Sequence, residues 1–138
     1  MTLAPRSAAL GGAVVVAMLA VATAREAAIG RTEADAADAA AARADWPDAI
    51  DHARAAAEAF VPAASWPVQG LRRLQAIGED AEARGDHDTA LLAYGAMKTA
   101  TGAVSPWPGR ADWGARADEG LARAGRMDTS SSDGRAPR

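Results

Sequence analysis

Two histidines, His52 and His87, are the side chains best suited to acid–base or metal chemistry in this sequence of 138 residues. His87 stands in the run Asp86-His87-Asp88, and His52 follows Asp48 by one helical turn. A divalent ion needs three or four converging ligands, and side chains on adjacent residues diverge. The Asp-His-Asp run therefore reads as a solvated helix start. The Asp48–His52 spacing puts both groups on one helix face, which makes a surface pair and no more. Neither Ser65 nor Ser105 lies on a nucleophile elbow, and no third group completes a triad with a histidine. No glycine run has the spacing of a phosphate loop or a dinucleotide fingerprint. The chain has no cysteine, which removes thiolate catalysis, disulfides and thiolate zinc sites. Three of the four tryptophans precede proline, at Trp46-Pro47, Trp66-Pro67 and Trp107-Pro108. Three indoles could cage a cation or a sugar. Trp46 and Trp66, at the starts of separate helices, fit staples between helices better. The sequence thus predicts no catalytic residue, no cofactor and no metal.

The elements that carry these residues are helical. About half the residues are hydrophobic, but alanine makes up much of that share, and alanine favours helix while filling little core. In the first helical segment after the apolar N-terminal stretch, Gly30 is a candidate break. Thr32 is a candidate N-cap, with a helix from Glu33 to about Ala44. Asp45 caps the next helix and Pro47 fits its first turn, where a missing N–H costs nothing. Ala49, Ile50, Ala53, Ala56, Ala57 and Phe60 form its apolar stripe, and Pro62 ends it. Ser65-Trp66-Pro67 repeats the device and opens a helix with Leu71, Leu74, Ile77 or Gly78, and Ala81 on one face. Gly85 ends that helix. Asp86 caps a fourth, with Ala90, Leu91, Tyr94 and Met97 at helical spacing, which stops near Thr101-Gly102. After a proline-containing loop, a fifth helix runs from about Ala111 to Ala124, with Trp113, Ala117, Leu121 and Ala124 inward. Residues 126–138 carry no packing stripe and read as a disordered tail.

Residues 7–24 contain no charge. As a helix they would span roughly 27 Å, just short of a bilayer's hydrocarbon core. Arg6 precedes them, and Ala22-Thr23-Ala24 resembles a cleavage site, so residues 1–24 read as a membrane anchor or a signal peptide. Either reading carries residues 25–138 across the membrane. The expectation is a single-pass inner-membrane protein with an extracytoplasmic helical domain over residues 25–125. The alternative is a secreted or periplasmic protein. A formal net charge of -3 with acids and arginines interspersed gives no basic stripe for nucleic acid.

The stretch from Ala44 to Ile50 aligns with Gly85 to Leu91 at an offset of 41 residues, and the same offset carries Trp66-Pro67 onto Trp107-Pro108. Such a period signals stacked helical hairpins. Gly85-Asp86-His87-Asp88-Thr89-Ala90-Leu91 and Ala44-Asp45-Trp46-Pro47-Asp48-Ala49-Ile50 resemble the start of the second helix in the tetratricopeptide repeat. The resemblance covers roughly residues 33–101. It departs from the family in its longer period and in first helices that lack the large aromatic and leucine pair. The layout is also similar to small bacterial membrane proteins with a single span. The resemblance implies an all-α fold of antiparallel hairpins whose first helices line a surface that receives a protein or peptide. On that pattern Arg72, Gln75 and Glu79 share one face, Asp35 and Asp38 share another, and Trp107 is the candidate for an exposed contact. The bland alternative is a solvated face with local ion pairs. A small alanine-rich core also predicts stabilisation by a partner or by self-association. Together these expectations describe a membrane-tethered, non-catalytic scaffold or adaptor in a bacterial envelope.

Overall fold

A computed structural model describes residues 5–59, 64–102 and 109–133, with side chains over 16–59, 64–102, 109 and 111–126. Five helices follow in order: α1 (Pro5–Ala42), α2 (Trp46–Glu58), α3 (Trp66–Arg84), α4 (His87–Gly102) and α5 (Arg110–Asp133). There is no strand among the described residues. Each helix packs on its predecessor, and α1 also meets α3, α2 meets α4, and α3 meets α5. The result is a row of antiparallel hairpins. The expected starts at the Trp-Pro pairs of α2 and α3 are present, and the alanine and leucine stripes named above face inward.

The first helix differs from expectation. It runs without a break through Gly30 and Thr32, so Thr32 is no cap; its hydroxyl donates back to the Ala28 carbonyl at 2.9 Å. Gly30 does not stop the helix because its role is spatial. A Cβ there would lie 2.3 Å from Trp66 Nε1 and 3.1 Å from the Ala59 methyl. The bare backbone is the seat on which the start of α3 rests. The fifth helix also differs, extending to Asp133, past the expected end near Ala124 and into the stretch read as tail. Phe60, Pro62 and Trp107 lie outside the described residues.

The turns that close the first two hairpins have one chemistry. After α1, Asp45 N–H donates to Ala40 O and Ala44 N–H to Ala41 O, with Ala44 at φ 57°. After α3, Asp86 N–H donates to Ala81 O and Gly85 N–H to Glu82 O, with Gly85 at φ 72°. Both are Schellman caps, in which a left-handed residue lets the chain satisfy the last carbonyls of the helix. The positions are related by the 41-residue offset, and these two turns match in their backbone hydrogen bonds. The N-caps diverge. Asp86 Oδ1 accepts from Thr89 N–H at 3.1 Å, whereas Asp45 and Ser65 make no side-chain cap bond.

The core is thin in large side chains: Tyr94, Leu71, Leu74 and Met97 are the largest that are fully buried. Alanine fills the remainder, including Ala37, Ala40, Ala49, Ala53, Ala81, Ala90, Ala93 and Ala117. Small residues let the helix backbones approach closely, and Tyr94 shows the limit. Its ring lies between Gly78 of α3 and Gly120 of α5, where an added Cβ would come within 2.6 Å and 2.5 Å of ring atoms. Arg123 Nη2 donates to the Tyr94 hydroxyl at 3.1 Å and Nε donates to Glu82 at 3.4 Å, tying α5 to α4 and α3.

Among the described residues no helix is long and apolar enough to cross a membrane. The apolar stretch 7–24 falls in α1, and the side chains of 7–15 lie outside the description. From residue 16 onward that stretch is exposed: Val16, Met18, Leu19 and Val21 each show 62–70% of their surface.

Candidate protein-binding groove

The helices that begin the first two hairpins, α1 and α3, lie side by side and leave a shallow groove between them. Its floor is Ala34 and Ala37 from α1 with Gly70 and Ala76 from α3. Asp35 and Asp38 stand on the α1 wall, and Gln69, Arg72 and Arg73 on the α3 wall, around about 350 Å³. A second hollow of about 400 Å³ continues toward the α1–α2 turn, past Ala41, Trp46, Ile77 and Asp80. The two hollows share Asp38, Arg73 and Ala76. Between them Arg73 Nη2 donates to Asp38 Oδ1, an ion pair that crosses the groove from helix to helix.

The side chains expected on a binding face separate into two groups. Arg72 and Asp35 line the groove, exposed and with no described partner. Gln75 and Glu79 do not line it: Gln75 Nε2 donates to Glu79 Oε1 at 2.6 Å on the outer side of α3. Further along α3 the groove is lined by Arg73, Ala76, Ile77 and Asp80, so that of the row read from the sequence only Arg72 reaches it. Arg73 is the residue that reading missed. Its signal was there in the i, i+3, i+4, i+7 spacing of two small or apolar residues between two charges.

The histidines make no active centre. His52 Nδ1 is 2.6 Å from Glu33 Oε2 on α1, and Nε2 is 3.5 Å from Asp48. The Glu33 hydrogen bond and the surrounding carboxylates raise the His52 pKa above its ordinary value, against a smaller effect of burial. The group is a clamp between α1 and α2. His87 sits half-buried at the start of α4 with Nδ1 unpartnered. Among the described residues no three His, Asp or Glu side chains converge as metal ligands would. The described tryptophans do not converge either. Arg84 stacks on Trp46 at 4.6 Å, Arg31 lies 6.0 Å from Trp66, and Arg116 is 4.7 Å from Trp113, each pair in a different place.

What the groove can do follows from its walls. A floor of alanine and glycine admits the backbone of another polypeptide at close range. The unpaired carboxylate and guanidinium facing each other across it offer one acceptor and one bidentate donor. It is too open to enclose a small substrate away from water. No protein-family model, curated protein or solved structure matches this chain.

Proposed function

We propose that this protein is a membrane-tethered, non-catalytic scaffold of repeat-like helical hairpins, resembling tetratricopeptide units, that holds a protein partner in the groove between α1 and α3 within a bacterial envelope. The observation that carries the reading is the groove itself, built from the equivalent helices of two successive hairpins, with Asp35 and Arg72 exposed and unpaired on opposite walls. Charged side chains at the rim of an apolar floor suit a polypeptide ligand, for which rim charges set orientation and encounter rate. The tether is supported by the uncharged stretch 7–24 and by the exposed apolar side chains of α1 from Val16 to Val21. Exposing such a contiguous apolar surface to water is unfavourable, and a lipid environment removes that cost.

A photocrosslinking side chain placed at Arg72, in cells carrying the full chain, tests the groove. The expected result is one discrete protein adduct that disappears when the crosslinker is moved to Arg54, on the exposed side of α2. Identical adducts from both positions would remove the groove from the reading. Mass spectrometry of the mature N-terminus tests the tether: a chain beginning at Arg25 would replace it with a released, exported binding protein.

A further inference from the structure

We propose that one end of the helical bundle rests on the phospholipid headgroup layer, with Arg25 and Arg31 engaging lipid phosphates. This inference rests on the tether reading above and concerns how the bundle sits once α1 is inserted. Continuity of α1 is the first argument. Residues 16–26 are exposed all around, and Gly30 is buried beneath Trp66 and Ala59. Packing therefore begins only six residues after Ala24, a rise of roughly 9 Å along the helix, with no linker between. The headgroup region on each side of a bilayer is roughly 5–8 Å deep, so packing begins just beyond it. The end of α2 at Glu58 and the start of α3 at Trp66 thus lie at the outer edge of the headgroups. The Ala44 turn lies roughly 27 Å from the hydrocarbon along the same helix.

The two ends differ in how their arginines are paired. At the end away from the apolar segment, every arginine that flanks the turns has a carboxylate partner: Arg43 with Asp48, Arg84 with Asp80, and Arg123 with Glu82. At the near end Arg25 has no described partner and Arg31 meets only the Trp66 ring, while Glu26, Glu58 and Asp112 are the acids of that end. The far-end turns contain Asp45 and Asp86. Arginines without carboxylate partners beside an indole, next to an apolar helix, match the basic and aromatic flanks of membrane segments.

The absence of cysteine makes the test direct. Ser65 and Asp45 are both exposed, one at each end, so Ser65→Cys and Asp45→Cys each take a fluorophore without disturbing the core. The full chain is reconstituted into phosphatidylcholine vesicles with a fifth of phosphatidylglycerol, carrying a nitroxide on a fraction of the headgroups. The separation of roughly 9 Å against 27 Å predicts quenching at position 65 at least about threefold stronger than at position 45. Arg25→Gln with Arg31→Gln in the Ser65→Cys chain is expected to lower that quenching. Flotation with the vesicles but equal quenching at both positions would overturn the docked end and leave the tether standing. Quenching at 65 that the double substitution leaves unchanged would overturn the phosphate contacts. Failure to float with vesicles would overturn the tether and this inference with it.

Discussion

Replacing Gly120 by alanine tests how tightly α3, α4 and α5 are packed. The new Cβ would lie 2.5 Å from Tyr94 Cδ1 and Cε1, whereas ordinary contact begins near 3.4 Å, so the ring would have to retreat by about 0.9 Å. It has nowhere to go: the opposite face already rests on α3, where a Cβ at Gly78 would lie 2.6 Å from Tyr94 Cζ. Forcing one methyl group into such a site costs about 1–3 kcal/mol. Alanine returns about 1 kcal/mol through helix propensity. The balance runs from neutral to about 2 kcal/mol of destabilisation. Gly95 is the control, because it lies inside α4 with no atom within 4 Å of an added Cβ. Gly95→Ala keeps the propensity gain without the clash and should stabilise the chain by about 1 kcal/mol. Urea unfolding of the full chain, followed by far-ultraviolet circular dichroism, should rank the midpoints Gly95→Ala, wild type, Gly120→Ala from high to low. In a Tyr94→Leu background the clash is gone, and Gly120→Ala should become neutral or stabilising. If Gly120→Ala matches Gly95→Ala in the wild-type background, the ring is not pinned and the account of this layer is wrong.

Three further outcomes follow from the turns, the clamp and the buried phenol. Ala44 holds a left-handed conformation that costs an L-residue about 1–2 kcal/mol, so Ala44→Gly should raise stability by up to about 1 kcal/mol and Gly85→Ala should lower it by a similar amount, read as opposite shifts in urea midpoint. The raised His52 pKa means its clamp is at full strength well below 6.5, the ordinary value, and fades as pH rises through the higher folded value; Glu33→Gln should flatten the stability profile on the alkaline side of 6.5. An NMR titration of the His52 ring should show the same shift, reduced in Glu33→Gln. Tyr94→Phe removes the acceptor of the Arg123 bond while keeping the ring between its glycines, and should cost about 0.5–1.5 kcal/mol in the same unfolding assay.

The elements legible in the sequence were those set by local rules. Proline in the first turn marked α2 and α3, a left-handed glycine marked the end of α3, and apolar spacing picked out the inner faces. The 41-residue offset also carried real information, since the two Schellman turns it relates are built alike. What escaped depended on contacts between distant positions. Gly30 reads locally as a helix breaker, yet a single glycine costs an alanine-rich helix only about 1 kcal/mol, and the indole of Trp66 requires it. Glu33 lies 19 residues from His52, so the nearer Asp48 drew the only pairing that spacing could suggest. On α3 both Arg72 and Arg73 line the groove, and nothing local shows that Arg73 is the one that pairs with a carboxylate on α1. The glycines against Tyr94 come from two other helices, and no periodicity along α4 could have named them.

The unbroken course of α1 has a mechanical corollary. Over its 38 residues it is about 57 Å long, and the wall of the groove that bears Asp35 and Asp38 belongs to the same piece as the apolar segment. A rod without a hinge transmits torque. Rolling the apolar segment about its axis would swing that wall against α3 and strain the Arg73–Asp38 strut that spans the gap. If the groove holds a polypeptide as proposed, that occupant would resist the roll, so occupancy of the groove and the rotational setting of the apolar segment would be one coupled variable.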